Sequence, residues 1–428
     1  MRVLISGGGT GGHVYPALAV VEQLDLVAGD PQSKAAAEER PAANEKPRAN
    51  VPAPKAEKHA DRDRANRPNV LWIGSTGGME ERLVERAAIE YRGIETGQLR
   101  GINPVRAAAN VGRMMNGIGQ SRAIIRSYAP DVCLVTGGYV CAPVVIACRV
   151  LGIPVLIYLP DMSPGWAIQR LSNLATRVAV TLPAAAAWFG GEVPQGKAVV
   201  TGYPVRKELI AAAADRSASR RKLAAQLERP LDGADPLVLI WGGSQGSRSI
   251  NQATWSALKQ LLPLAQILHV VGQRDWPIFE QATIVESLPQ ELRNRYHPVP
   301  YLHESMPLAL AASDVTVARA GASSLGEFPV AGLPSILVPL PFGGVNQVHN
   351  AEQLVQEGAA IVVEDDKLAV ELAPTLINLL QDDQKRATMS TAASALARPD
   401  AALNIARQLR LLAESRPGEP ARQIGQYS

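Results

Sequence analysis

Short apolar runs alternate with longer amphipathic stretches along most of the chain. In the first half the runs are Val3–Ser6, Val70–Ile73, Val132–Thr136, Val155–Leu159, Val178–Thr181 and Ala198–Thr201. In the second they are Leu237–Trp241, Gln266–Val271, Val315–Ala318, Ser335–Val338 and Ala360–Val363. Each is too short for a helix and apolar at consecutive positions, the pattern of strands buried on both faces of a parallel sheet. Their alternation with helical segments predicts an α/β protein built from two doubly wound, Rossmann-like domains. A charged helix from Arg216 runs into the turn-rich stretch Pro230–Pro236, and the boundary is placed just before it. Residues 1–207 then form a first domain, 208–414 a second, and 415–428 a loose tail. Open sheets of this kind bind ligands beyond the carboxyl ends of their strands, so two of them face to face enclose a cleft.

One segment departs from the pattern. Residues 29–68 contain a single β-branched residue, Val51, no aromatic, and an excess of Ala, Pro, Glu, Lys, Arg and Asn. Such a stretch buries too little surface to offset its ordering entropy, and reads as a disordered insertion in the first domain. The whole chain of 428 residues is 46% hydrophobic, enough for a sizeable core. Lys+Arg 43 against Asp+Glu 40 gives a net charge of +3, too even to argue for a nucleic-acid partner. Aromatics at 4% argue against a stacking platform for single strands. Cys133, Cys141 and Cys148 are odd in number and match no zinc spacing, which points to buried thiols in a reducing compartment. The apolar start Val3-Leu4-Ile5 is too short for a signal peptide, and no run of about 18 apolar residues offers a membrane span.

The candidate chemistry lies where strands run into glycines. Ser6-Gly7-Gly8-Gly9-Thr10-Gly11-Gly12-His13 follows the first strand and opens a helix. Glycines admit an anion close to the backbone, and a helix N-terminus attracts it; a plain tight turn is the other reading. Gly7, Gly9 and Gly12 satisfy the dinucleotide spacing, but that fingerprint wants an acid at the end of the second strand, and Trp72–Gly77 has none. His13 at the mouth of the loop is either a proton acceptor or a structural histidine. Gly137-Gly138 and Gly242-Gly243-Ser244-Gln245-Gly246 repeat the strand-to-glycine arrangement. The small residues Gly321–Gly326, with Ser323 and Ser324, lead to Glu327, a carboxylate placed to take ribose hydroxyls or a solvated helix acid. Asn346, Gln347 and Asn350 cluster amides, which both donate to and accept from sugar hydroxyls. The segment 106–128 sets Met114, Met115, Ile118, Ile124 and Ile125 among Arg106, Arg113, Arg122 and Arg126. It reads equally as a helix on an anionic membrane surface and as a core-facing helix with a solvated rim.

In this order the glycine, small-residue and amide segments resemble the MurG family of bacterial peptidoglycan glycosyltransferases. The most specific pieces are 7–16, 242–251 and 314–339, supported by Met79–Val84, Leu99–Gly101 and Gly202–Arg206. The resemblance implies the GT-B fold. It implies inverting transfer of N-acetylglucosamine from UDP-N-acetylglucosamine to the C4 hydroxyl of the N-acetylmuramyl group of undecaprenyl-linked lipid I, giving lipid II. It also implies a cytoplasmic enzyme attached peripherally to the inner face of the cell membrane, with no cofactor, no metal and no nucleic acid. By the same resemblance Thr10, Gly11 and Gly12 lie where donor sugar and acceptor diphosphate meet, with His13 as the base. Gly137 and Gly138 lie on the acceptor side, and Arg206, Ser244 and Gln245 around the donor diphosphate. Ser323, Ser324 and Glu327 hold phosphate and ribose, Asn346 and Gln347 read the sugar, and the backbone of 302–306 meets the uracil. One departure stands out: Asp161 occupies the place of the family's sugar-contacting Asn, where it can accept hydrogen bonds but not donate them. It is the second candidate for the base. Two other readings are a UDP-sugar transferase of this fold with a different lipid acceptor, and a nicotinamide-dependent oxidoreductase or non-catalytic nucleotide-binding protein.

Overall fold

The computed structural model describes residues 1–8, 11–28, 69–97, 104–231, 233–243, 246–341 and 345–415. The expected insertion at 29–68, the tail from 416 onward, the motif 99–101, and Thr10, Ser244 and Gln245 lie outside them.

Two parallel sheets carry the fold. The first has seven strands in the order β3-β2-β1-β4-β5-β6-β7. They are β1 Arg2–Gly7, β2 Asn69–Ser75, β3 Glu90–Ile94, β4 Val132–Gly137, β5 Val155–Leu159, β6 Arg177–Val180 and β7 Ala198–Val200. The second has six, in the order β10-β9-β8-β11-β12-β13. These are β8 Leu237–Trp241, β9 Gln266–Val270, β10 Tyr296–Val299, β11 Val315–Ala318, β12 Ser335–Leu337 and β13 Ala360–Val362. The strand order reverses between β1 and β4 in one sheet and between β8 and β11 in the other. The glycine loops after β1, β4 and β8 leave from these two switch points, where such sheets open a crevice.

Every residue of β4 and β5 is buried, since helices cover both faces and leave no polar side. The two strands the sequence pattern does not reveal, β3 and β10, are both at sheet edges. Glu-Tyr-Arg-Gly-Ile in β3 is largely exposed, and β10 carries Pro298. An edge strand tolerates both features, and so neither strand shows the unbroken apolar run of an inner one.

The charged stretch between the sheets belongs to the second lobe. Asp215 caps the helix Arg216–Leu227 by accepting from the Ala218 N–H at 2.8 Å. Arg216 and Arg220 reach Asp314 at 3.0 and 3.5 Å, while Asp314 also accepts from the Leu237 N–H at 2.8 Å, fixing the start of β8. The helix Lys207–Ala213 packs with Met306–Ala312 and Glu327–Ala331 of the same lobe.

The closing helix, Ala401–Glu414, does not end the second domain as a division at 208–414 expects. Ala402, Ile405, Leu409 and Leu412 bury one face of it against the helix Gly11–Ala28 and strands β4 and β5 of the first lobe. Arg177 donates to Gln408 at 2.6 Å, and Arg410 to the carbonyl of Val27. Its amphipathic pattern shows that it packs but does not name the sheet. The chain therefore crosses between lobes twice, at 201–206 and near 398–401. The crossings touch at Gly202, whose φ is +93° and where a Cβ would fall 2.5 Å from that of Arg398.

Candidate active site

The floor of the first lobe is built from two glycine loops in contact. The Gly8 N–H donates to Gly137 O at 3.1 Å. Gly137 and Gly138 have φ of +124° and +97°, the region that favours glycine, and a Cβ on Gly138 would fall 2.6 Å from Gly8 O. Cys141 holds the same turn by donating its thiol to Gly137 O at 2.9 Å. Burial, the largest influence, pushes that thiol up to about 12, so it stays protonated and inert.

His13 lies over this floor. Its Nδ1 is 2.9 Å from Gly8 O, and a Cβ on Gly137 would meet the ring at 2.8 Å from Nε2. The histidine and the acceptor-side glycines of the sequence reading are thus brought together. Gly11 and Gly12 begin the helix that carries His13.

Glu80 was not singled out by its chemistry in the sequence, yet it lies against this loop. It is 1% exposed, accepts from the Ser75 N–H at 2.9 Å, and abuts Gly8 and Gly78. An acid therefore does stand near the end of β2, but inside the protein, where it is closed to a ribose. The dinucleotide arrangement is not built here.

The glycine loop after β8 closes as tightly. Gly243 and Gly246 have φ of +85° and +76°, and a side chain at Gly242 would collide with the Ser247 backbone. Arg319 clamps the loop from below. Its Nη2 donates to Ser247 and Ser249 hydroxyls at 2.7 and 2.8 Å, and its Nη1 pairs with Asp365 at 2.5 Å. Nη1 also reaches the carbonyls of Val338 and Pro339 at 3.2 and 3.3 Å. Beneath the helix that follows, Asn251 accepts from His269 Nε2 at 3.0 Å, and His269 Nδ1 accepts from the Tyr296 hydroxyl at 2.9 Å. Both ring nitrogens are used by a neutral imidazole, and burial lowers the His269 pKa to about 3.

Beside this loop, after the neighbouring strand β11, Ser323 and Glu327 come together with Arg206. Burial raises the Glu327 carboxyl above its ordinary value, while Arg206 and the Ser323 hydroxyl pull it back. Ser324 is buried and donates to Gly321 O at 2.7 Å, which makes it a turn-holding residue. Leu302–Met306 forms a short 3₁₀ turn running into a helix, and His303 there has φ of +38°. A cavity of about 310 Å³ opens behind Arg206 and Tyr15, at the place where both crossings meet the first lobe.

The two lobes are joined across the cleft by the loop after β5. Asp161 accepts from Asn350 Nδ2 at 2.8 Å and from Asn346 Nδ2 at 3.3 Å. Ser163 donates to Asn346 Oδ1 at 3.1 Å and lies 2.7 Å from His349 Nδ1. Gln347 accepts from the Leu340 N–H at 3.1 Å, which orients its amide beside Asn346.

Two parallel α/β lobes facing across a cleft, with glycine turns at both switch points, define a GT-B glycosyltransferase fold. Models of the glycosyltransferase family 28 N-terminal and C-terminal domains match residues 61–180 and 237–405. A Roseiflexus sp. relative, a UDP-N-acetylglucosamine–N-acetylmuramyl-(pentapeptide) pyrophosphoryl-undecaprenol N-acetylglucosamine transferase, is 37% identical over 96% of this chain and 95% of its own. The transferase of the same name from Desulforamulus reducens is 32% identical over 95% and 97%. Among solved structures, MurG of Acinetobacter baumannii superposes with a TM-score of 0.68 at 25% identity, over 96% of this chain and 99% of that one. A Neisseria meningitidis UDP-GlcNAc 2-epimerase shares the fold with a TM-score of 0.62 at 13% identity, covering 96% and 100%. The chain belongs to the MurG family of glycosyltransferases.

Proposed function

We propose that the protein transfers N-acetylglucosamine from UDP-N-acetylglucosamine to the C4 hydroxyl of the N-acetylmuramyl group of lipid I, forming lipid II. The family supports this reading, and the observation that carries it is the setting of His13. Gly8 O can only accept, so Nδ1 carries a hydrogen, and the tautomer that makes this bond has its lone pair on Nε2. That nitrogen takes the proton of the attacking C4 hydroxyl while the new C1–O bond forms. The bond from C1 to the β-phosphate oxygen breaks on the opposite face, and its electron pair leaves with UDP. Configuration at C1 inverts. The charge arriving on the diphosphate is met by Arg206, by the loop holding Ser244 and Gln245, and by the helix N-terminus after it. Glu327 takes the ribose hydroxyls, and Asn346 and Gln347 the sugar. Asp161 is the weaker candidate for the base, because both its oxygens already accept amide hydrogens.

Among the described residues no helix is long and apolar enough to cross a membrane. Access to a lipid-linked acceptor therefore calls for a surface. On the helix Pro104–Tyr128, Ile125 is buried, while Val111, Met115, Arg122 and Arg126 are exposed and, at 3.6 residues per turn, share one side of the helix. This face docks on anionic lipid in the proposed reading. Incubation with UDP-N-acetylglucosamine and either lipid I or diacylglycerol tests the assignment: glycosylation of lipid I supports it, and glycosylation of diacylglycerol alone replaces it with the neighbouring activity.

A further inference from the structure

Asn346, His349 and Asn350 fall on one face of the helix Val345–Gln356, and that face receives the 161–163 loop of the other lobe. Asn350 is fully buried, and its amide is used completely. One hydrogen goes to Asp161, the other to Ala320 O at 3.1 Å, and the oxygen accepts from the Met162 N–H at 2.9 Å. Asp161 in turn presents one oxygen to each of two amide groups. An Asn there would offer one acceptor and turn an N–H₂ toward another N–H₂. Ser163 has a single hydrogen, given to Asn346, so it accepts from His349 Nδ1–H. The residue that departs from the family pattern is thus matched, group by group, to the helix that carries the sugar-reading amides.

We propose that Asp161 and Asn350 form an interdomain latch, with Asn350 as a positioning residue that holds the lobes together and orients Asn346 for the donor sugar. Asn350 itself touches no substrate; it acts through Asp161 and the 161–163 loop. The latch contributes to binding the sugar, which needs both lobes in register, and not to binding UDP alone, whose seat lies in the second lobe. This deepens the proposed donor specificity and rests on it, but the lobe geometry can be read without turnover.

The experiment uses the full chain with N350A, D161A, D161N and the double variant D161A/N350A. The native cysteines Cys133, Cys141 and Cys148 are buried, so labels are placed through V150C in the first lobe and V370C in the second, at sites 63% and 78% exposed. The inter-label distance distribution of the free protein should be narrow in the parent and broad in N350A and D161A. In turnover with lipid I, KM for UDP-N-acetylglucosamine should rise about ten-fold in each, as expected for losing a buried hydrogen bond to a charged group. D161N keeps one acceptor and should shift KM by less. The double variant should be no worse than either single change, because both remove one unit. The UDP dissociation constant should stay within about two-fold of the parent, the scatter left when the second lobe is intact. Unchanged distances and KM in N350A overturn the proposal. So do multiplicative effects in the double variant, or a D161A that loses kcat with KM unchanged. Loss of UDP binding in N350A also overturns it, by showing damage to the second lobe itself. A parent that fails to glycosylate lipid I, yet shows the narrow-to-broad change, refutes the functional reading and leaves the latch standing.

Discussion

The ring of His13 is tied to the main chain of the loop it serves: Nδ1 donates to the carbonyl of Gly8 at 2.9 Å, across five residues. The bond sets the tautomer and aims Nε2, so a residue of the helix start and the glycine turn before it act as one unit. Replacing His13 by Ala should lower kcat by about 10²–10⁴-fold, the usual worth of a positioned base. UDP affinity should hold, since the proposed seat of the donor nucleotide is on the other lobe. A variant with full turnover removes the base assignment.

Gly138 has the close-approach geometry that forbids a side chain, with φ of +97° and Gly8 O 2.6 Å from where a Cβ would be. Gly138→Ala should destabilise the protein by about 1–3 kcal/mol and abolish most activity by pushing the two glycine turns apart. Gly112, in the exposed part of a helix with nothing within 4 Å of its added Cβ, is the control. Gly112→Ala should raise stability by up to about 1 kcal/mol through helix propensity. Thermal unfolding of the pair separates the two effects.

Arg319 holds Ser247, Ser249 and Asp365 from a nearly buried position. Arg319→Ala leaves Asp365 without its cation and should cost about 3–5 kcal/mol, the range for breaking a buried pair. It should also weaken UDP binding by loosening the 242–247 loop. A neutral effect in denaturant unfolding would contradict the clamp.

Glu327 supplies a pH signature. Burial raises its carboxyl above the unfolded value, so its contribution to stability is full at acid pH and is lost as pH rises through the folded value. Glu327→Gln removes that loss. The variant should unfold at a higher temperature than the parent at pH 7.5, with the difference vanishing below about pH 4, under the ordinary Glu value. The same change should weaken UDP by roughly ten- to a hundred-fold through loss of the proposed ribose contacts. A stability difference independent of pH would contradict the assignment.

The parallel sheets and the glycine turns were legible in the sequence because each leaves a local mark. A strand buried on both faces must be apolar throughout, as in Val132–Gly137, and a turn at positive φ draws glycine, as at Gly137 and Gly138. The edge strands Glu90–Ile94 and Tyr296–Val299 carry no such mark, having one side open to solvent or loops. Nor does local pattern reveal pairings at long range. Asp161 and Asn350 are separated by 189 residues, and Arg319 and Ser247 by 72. Glu80 reads as one acid among several in the first turn of Met79–Arg86, and only the packing of that turn against Gly8 makes it a buried support. The resemblance could place Asp161 at the site, while its partners became visible only when the second lobe was set against the first.

The anomeric configuration of the product decides whether the proposed transfer occurs. With UDP-N-acetylglucosamine, whose sugar is α-linked, and lipid I, the protein should yield lipid II with a new β-linkage to the C4 oxygen, read from the proton coupling at the transferred sugar's C1. An α-linked product, or lipid I recovered unchanged while UDP-N-acetylglucosamine is bound, would contradict it.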